Sequence, residues 1–243
     1  MKAYKKQRYP ITMNTFKKIA LAIPAFLAST MTFAQDPNSE KARLILNEVS
    51  KTAKAYSTIS ATFSITMKDA NNKTDVKNGN IILKSGKYKI VLENKVKDVI
   101  KKEEYYNDTK TTWVYIEKDK EVTIDNAPDP AKKKSENSIS PNDIFTIHEK
   151  GFKFEFVKEE TQNGKVVQLI DLIPEKPDKK NYHRIKLTID KAKKQIINIV
   201  QLNKDGSSVT YNIKTFTPNT EVPDTTFQFD MKARPGTTVV DMR

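Results

Sequence analysis

The chain has 243 residues, with no cysteine, two histidines and a formal net charge of +13. Without cysteine it can form no disulfide, no thiolate nucleophile and no cysteine-ligated zinc or iron–sulfur centre. His148 and His183 are too few for a multi-histidine metal site, so we expect neither a metal nor a cofactor. The high positive charge, taken alone, favours a nucleic-acid partner.

The first 34 residues have the pattern of a secretory signal peptide. They contain six basic residues and no acidic residue, and a pair of lysines precedes an apolar run at 19–28. The run is shorter than the ~20 residues that a transmembrane helix needs, and it is followed by small residues typical of a cleavage site. We expect cleavage after Ala34, and Met13 is an alternative start of translation. The other interpretation is a buried N-terminal helix.

Export changes the interpretation of the charge. Removing residues 1–34 removes six of the 43 Lys and Arg residues and no acid, so the net charge falls from +13 to +7. An exported protein does not meet the genome, and the lysine runs at 132–134, 179–180 and 193–194 contain no interleaved aromatic residues. We therefore expect no nucleic-acid partner. The runs are interpreted as solvated loop charge, with docking to an acidic partner as the alternative.

A helix is predicted over residues 39–56. Asn38 or Ser39 can cap its start, and Lys and Glu residues occupy the outer face. Apolar residues recur at spacings of three and four on one face: Ala42, Ile45, Val49, Ala53 and Tyr56.

Beyond Ser57 the hydrophobic period changes to two, which is typical of strands. Eleven strands are predicted, at 61–67, 80–84, 87–93, 96–106, 111–117, 121–124, 152–158, 165–173, 183–190, 195–202 and 208–216. Asn163-Gly164 and Asp205-Gly206 are typical of tight hairpin turns. Tight hairpins make successive strands antiparallel, so we predict a meander that forms a barrel or a strongly curved sheet.

The alternation breaks between residues 125 and 150, and a short helix is predicted at the end of this break. Ser140 can cap it, and Pro141 would occupy the first helical position, where its missing N–H costs nothing. Its apolar face would carry Ile144, Phe145 and Ile147, with Gly151 at its end. Residues 35–243 are therefore predicted to be a single domain without a linker.

No catalytic signature is present in the sequence. Glu103-Glu104 and Glu159-Glu160 are neighbours on predicted strands, so their carboxylates point to opposite faces, which is the wrong geometry for an acid/base pair. His148 and His183 are expected at the surface or in capping roles. We therefore do not expect an enzyme.

The sheet has more apolar alternation than one thin core requires. A curved sheet closed by helices can enclose an apolar cavity, which would bind hydrocarbon at roughly 0.8 kcal/mol per buried CH₂. From the residues alone, such a cavity and a core filled by these side chains fit the pattern equally well.

The order of short motifs resembles one family, LolA, the periplasmic outer-membrane lipoprotein carrier, over nearly all of residues 36–243. The stretch Asn-Asp-Thr-Lys-Thr-Thr-Trp-Val-Tyr at 107–115 is similar to the family's Asp-Gly-Lys-x-x-Trp-x-Tyr. The other matching pieces lie at 59–63, 79–84, 86–89, 140–141, 172–174, 189–196, 205–213, 216–219, 227–229 and 239–243. Each piece is weakly specific, and their order and spacing together are fairly specific.

The resemblance implies a mainly β protein with helices: a half-open antiparallel barrel of about eleven strands, closed by the N-terminal helix and a mid-chain lid helix. It implies a monomeric periplasmic carrier that takes acylated lipoproteins from an inner-membrane ABC transporter of the LolCDE type. The cargo would pass to an outer-membrane receptor such as LolB. That receptor shares the fold but is anchored through an N-terminal cysteine, so the absence of cysteine favours the carrier role.

Site residues are assigned on this resemblance. We expect inward side chains to line an acyl-chain cavity: Phe63, Ile65, Ile81, Leu83, Tyr88, Ile90, Trp113 and Tyr115. Pro141, Ile144, Phe145 and Ile147 would form the lid. In the family an arginine after the second strand hydrogen-bonds the lid shut, but here the segment is Leu-Lys-Ser-Gly-Lys at 83–87. Lys84 is the candidate latch, able to donate to backbone carbonyls without the guanidinium fork.

Two alternatives keep the fold and change the function. One is a LolA-like carrier for another acylated molecule, such as a pigment or glycolipid. The other is a lipid-sensing regulator that binds a protein, like the LolA-like domain of RseB. The resemblance assigns no role to the run Lys132–Lys134.

Overall fold

The structure, a computed structural model, describes residues 36–96, 99–129, 146–149 and 151–243. The predicted signal peptide and the lysine run at 132–134 lie outside these ranges. So do Pro141, Ile144 and Phe145 of the predicted lid.

One α-helix and twelve strands are present in the described residues. The helix α1 spans Pro37–Lys54. The strands are β1 (Ile59–Lys68), β2 (Thr74–Lys84), β3 (Lys87–Val96), β4 (Val99–Asn107), β5 (Thr111–Ile116), β6 (Glu121–Asn126), β7 (Phe152–Gln162), β8 (Lys165–Pro174), β9 (Tyr182–Asp190), β10 (Gln195–Asn203), β11 (Ser208–Pro218) and β12 (Thr238–Asp241). Short 3₁₀ turns occupy Ile147–Glu149, Pro177–Lys179 and Asp224–Phe227.

All strands join one sheet in the order β12-β6-β5-β4-β3-β2-β1-β11-β10-β9-β8-β7. Pairing is antiparallel except between β12 and β6, which run parallel. The first meander runs outward from β1 to β6, and the second returns so that β11 pairs with the other edge of β1. The sheet is therefore open, with β7 and β12 at its two edges, and the predicted closure toward a barrel is not observed.

The eleven predicted strands are confirmed in number and position, and a twelfth is added. The boundaries differ from the predicted ones by one to six residues. β2 begins at Thr74 instead of residue 80, and residue 96 ends β3 instead of opening β4. The twelfth strand, β12, was not predicted as a strand because its four residues are all exposed and show no hydrophobic alternation.

The helix starts two residues before the predicted position. Asp36 is its N-cap, and its side chain accepts a hydrogen bond from the Asn38 backbone N–H at 3.1 Å. Pro37 then takes the first turn, where a missing N–H costs nothing. The predicted caps, Asn38 and Ser39, are both inside the helix.

The buried face of α1 packs on the second half of the sheet. Ala42, Leu46 and Val49 are the buried apolar residues of this face, whereas the predicted Ile45 is only partly buried. They contact a core on β7 to β10 that includes Ile170, Ile185 and other aliphatic residues with no exposed surface. We call the sheet face that contacts α1 the inner face and the opposite face the outer face.

Candidate functional site

A continuous set of apolar side chains covers the inner face next to the end of α1. Directly opposed residues in antiparallel strands point to the same side of a sheet. Three cross-strand rows follow from the register: Ile59–Leu83–Tyr88, Ala61–Ile81–Ile90 and Phe63–Gly79–Leu92. We call these nine residues the apolar strip.

Five of the eight predicted cavity residues belong to the apolar strip, and Ile65 follows them on the same face of β1. Ile81 and Leu83 are buried, while Phe63, Tyr88, Ile90 and Leu92 keep part of their surface exposed. Leu92 was missed as a site residue, although it continues the alternation of Tyr88 and Ile90 and could have been found by it.

Gly79 allows the apolar strip to close over β2. A Cβ atom at this position would lie 2.8 Å from Phe63 Cζ and 2.9 Å from Leu92 Cδ2. The aromatic ring of Phe63 and the side chain of Leu92 therefore lie directly over the glycine backbone. The row has no gap in its apolar surface despite lacking a side chain in its centre.

Trp113 and Tyr115 lie on the outer face instead. Trp113 pairs with Tyr106, which pairs with Lys89, and these positions alternate with the inward Ile90 and Tyr105. On the outer face a separate cluster forms from Tyr106, Tyr115, Val122 and Phe229, with Trp113 and Ile124 packed against it. The structure therefore does not bring these two aromatic residues to the face that carries the other six.

The outer cluster is covered by the C-terminal segment and contains an ion pair whose carboxylate is buried. Arg234 Nη2 donates to Glu104 Oε1 at 2.6 Å, and the guanidinium lies 4.4 Å from the centre of the Tyr115 ring. The Tyr106 hydroxyl donates to the other Glu104 oxygen, and burial raises the pKa of this tyrosine well above its ordinary value. Glu104 is only 4% exposed, so Arg234 and Tyr106 supply the hydrogen bonds that water would otherwise provide.

Glu103 points to the inner face, as the strand geometry predicts. Its Oε1 lies 3.3 Å from Lys77 Nζ, and its Oε2 accepts a hydrogen bond from the Tyr105 hydroxyl at 2.9 Å. Burial, together with the hydrogen bond to Glu103, raises the pKa of Tyr105 to about 12. The adjacent carboxylates Glu103 and Glu104 thus belong to two unconnected polar groups.

Two grooves open at the end of α1 where the apolar strip begins. A groove of about 330 Å³ is lined by Ala53, Tyr56 and Thr146, together with Ile59 and Leu83 of the strip. A neighbouring groove of about 600 Å³ is lined by the segment 219–223. Lys84 contributes to both grooves.

Lys84 holds the segment that precedes the 3₁₀ turn Asp224–Phe227. Its Nζ donates to the Val222 carbonyl oxygen at 2.6 Å and lies 3.0 Å from Asp224 Oδ1. Lys87 contacts the other oxygen of Asp224 at 2.5 Å, and both ammonium groups lower the pKa of this carboxyl. Lys84 thus donates to a backbone carbonyl in the segment before this turn, which is not part of the predicted lid.

The described part of the predicted lid helix is the 3₁₀ turn Ile147–Glu149, which lies on α1. Ile147 packs against the α1 core, and Glu149 forms an ion pair with Lys54 of the helix. His148, which was predicted at the surface, is only 3% exposed, and its Nε2 lies 2.9 Å from Ser50 Oγ. Its Nδ1 is buried and has no hydrogen-bond partner among the described residues. His183 is exposed on β9, in agreement with the prediction.

We expect the stability of the protein to fall in mild acid because of His148. Burial lowers the pKa of its imidazole below the ordinary 6.5; Glu149 and the backbone of Leu46 oppose this shift, and Lys54 acts in the same direction as burial. Between 6.5 and the lowered pKa the unfolded chain binds a proton that the folded chain does not, so acid favours unfolding. Urea unfolding of wild type and His148→Gln at neutral and mildly acidic pH measures this contribution.

His183→Gln is the matched control, because it removes the other histidine of the chain. It should keep the acid-dependent loss of stability, and His148→Gln should reduce that loss. Equal pH dependence in wild type and His148→Gln would contradict the prediction.

Comparison with known proteins gives structural matches only. No family model matches the chain, and no curated protein matches it. A structure of an uncharacterised conserved protein from Thermus thermophilus is similar with a TM-score of 0.53 and 12% identity, covering 83% of this chain and 99% of that one. This likeness concerns the fold alone.

Two further solved structures are similar at lower TM-scores. An outer-membrane lipoprotein-sorting protein domain from Vibrio parahaemolyticus matches with a TM-score of 0.43 and 16% identity, over 78% of this chain and 97% of that one. A LolA superfamily protein from Nitrosomonas europaea matches at 0.39 and 9% identity, over 77% and 97%.

The described ranges of the chain also bear on metal binding and on membrane-spanning helices. Within those ranges, histidine and acidic residues nowhere gather in groups of three or more that could hold a metal ion. In the same part of the chain, the helices lack the length and apolar character needed to cross a bilayer.

Proposed function

We propose that this protein is a periplasmic carrier that shields the acyl chains of lipoproteins between the inner and outer membranes. The observation that supports the proposal is the apolar strip on the inner face, which begins at the grooves beside the end of α1. Tyr88, Ile90 and Leu92 remain partly exposed there, so further apolar surface is available for a ligand to bury.

The chemistry of the strip suits a hydrocarbon ligand. A methylene group gains roughly 0.8 kcal/mol on burial and needs no directional partner, so a row of aliphatic and aromatic side chains is sufficient. Such binding needs no nucleophile, general base or metal. A non-enzymatic role therefore accounts for a sequence without catalytic signatures.

The direction of transport is proposed from the sequence resemblance. In this proposal an ABC transporter of the LolCDE type supplies the cargo, and a LolB-like receptor takes it at the outer membrane. The predicted signal peptide and the absence of cysteine favour an exported carrier that is not lipid-anchored. A carrier for another acylated molecule would use the same strip.

Release of lipoproteins from spheroplasts tests the transport role. Purified protein lacking residues 1–34 is expected to release newly made lipoproteins into the medium and to stay bound to them on gel filtration. Mass spectrometry of molecules that co-purify from the periplasm identifies the cargo. Recovery of a different acylated molecule, with no lipoprotein released, would contradict the lipoprotein role and support the alternative carrier.

A charge placed on the apolar strip should strongly weaken binding of an acylated probe. In Ile90→Glu, ligand binding must desolvate a carboxylate in the centre of the strip, at a cost above the gain from several methylenes. We expect at least a tenfold loss of affinity for a fluorescent acyl probe, measured by titration.

Val76→Glu is the control for Ile90→Glu. Val76 lies on the outer face of β2 and is 51% exposed, so the new carboxylate stays in water. Its affinity should equal that of wild type. An unchanged affinity in folded Ile90→Glu would show that the strip is not the binding surface.

A further inference from the structure

A polar bar crosses the inner face at the far end of the apolar strip. Lys77 of β2 and Glu103 of β4 meet with Nζ and Oε1 3.3 Å apart, and Tyr105 donates to the same carboxylate. From this arrangement we infer that Lys77, Glu103 and Tyr105 set the maximum length of hydrocarbon chain that the strip accepts. The inference rests on the proposed function and names a specificity determinant of that same site.

The pair lies across the direction of the strands. Glu103 is opposite Leu92 of β3, and Lys77 immediately precedes Asn78, which is opposite Glu93 of the same strand. Because β3 separates β2 from β4 by two strand spacings of about 4.8 Å, the two side chains can only meet above β3. The bar therefore lies over β3 between Leu92 and Asn94.

On β2 and β3 the inner positions change from apolar to polar at the bar. On the side toward α1, the rows on β2 and β3 are Leu83–Tyr88, Ile81–Ile90 and Gly79–Leu92. Beyond the bar, the next inner positions of β3 and β4 are Asn94 and Lys101. A hydrocarbon chain that runs along β2 and β3 from the groove thus meets charge after about 20 Å, at about 3.3 Å per residue between Leu83 and Lys77.

Covering the bar with hydrocarbon is unfavourable. The side chains of Lys77 and Glu103 are 20% and 29% exposed, so both charges still contact water. A methylene laid over them removes that water and offers no hydrogen bond in return. Carbon atoms beyond the bar therefore add no affinity.

A series of neutral 1-monoacylglycerols from decanoyl to stearoyl tests the inference, because a neutral head group avoids direct attraction to Lys77. For wild type, affinity should rise about fourfold per added CH₂ and then reach a plateau within the series. In Lys77→Met/Glu103→Met/Tyr105→Phe the rise should continue to longer chains. Replacing all three residues leaves no charge or hydroxyl without its partner.

The control variant is Lys102→Met/Glu93→Met. These residues form an ion pair of 3.7 Å between β3 and β4 on the outer face, directly opposite each other. This variant should keep the wild-type plateau, because it removes the same types of charge from the other side of the sheet.

The possible outcomes of this experiment distinguish the length limit from the carrier function. A plateau that moves only in the triple variant supports the inference. Binding with an unchanged plateau in the triple variant overturns the length limit and leaves the carrier function standing. No binding of any chain length to wild type overturns the carrier function and the length limit together.

Discussion

Leu46→Ala is expected to destabilise the protein by about 3 kcal/mol. Leu46 has no exposed surface and lies at the centre of the contact between α1 and the core on β7 to β10. Removing a fully buried leucine side chain loses its transfer free energy and leaves a cavity, at a cost of roughly 2–5 kcal/mol. Chemical unfolding followed by circular dichroism measures the change.

Leu44→Ala is the matched control on the same helix. Leu44 is 54% exposed, and the same truncation there removes little buried area, so the change should stay within about 0.5 kcal/mol. Equal destabilisation by the two substitutions would mean that α1 does not pack as described. Because α1 also borders the grooves, Leu46→Ala should weaken binding of an acyl probe as well.

Arg234→Ala is expected to destabilise the protein by about 2–3 kcal/mol. The substitution leaves Glu104 buried with only the Tyr106 hydroxyl as a partner, and an unpaired buried carboxylate is costly. It also removes the contact of the guanidinium with the Tyr115 ring. The expected loss is below the usual range for buried pairs because the Arg234 side chain is 30% exposed.

Two further variants show whether the pairing itself is responsible. Arg234→Met/Glu104→Met removes both charges and should recover most of the lost stability, since apolar replacements of a buried pair are often tolerated. Arg243→Ala removes an arginine from an exposed pair with Asp241 and should have no measurable effect. Failure of the double variant to recover stability would show that Arg234 acts mainly through packing.

The periodicity of the sequence was sufficient to locate most elements. Eleven strands follow from alternation and turn dipeptides, because a half-buried strand must place apolar residues at every second position. The helix follows from apolar spacings of three and four. β12 could not be found in this way, because it pairs with β6 through its backbone and none of its own four side chains is buried.

The face of each strand was harder to predict than its position. On β5, Trp113 and Tyr115 alternate with Val114 and Ile116, so both faces are apolar and the pattern does not say which face points inward. The register of β5 against β4 decides it, because a one-residue shift moves every side chain to the other side. On the outer face Tyr115 is buried because it packs against Phe229, which lies more than a hundred residues further along the chain.

Contacts between residues that are distant in sequence were also not predicted. His148 is buried because it lies against Ser50, and Glu104 because it meets Arg234. Lys77 and Glu103 come together only across β3. None of these pairs has a local sequence signal, because each depends on how separate elements pack.

The sequence by itself determined that the chain has no thiol chemistry, because it contains no cysteine, and that it is mainly β, because its apolar residues alternate with a period of two. Export is predicted from the pattern of residues 1–34. The six inward residues Phe63, Ile65, Ile81, Leu83, Tyr88 and Ile90 were also within reach of the sequence, since alternation reports the two faces of a strand. Only the tertiary structure decided where the apolar strip ends, which of the predicted aromatic residues lie on the outer face and which charges are buried. Those properties depend on register and on long-range contacts, which residue periodicity does not encode.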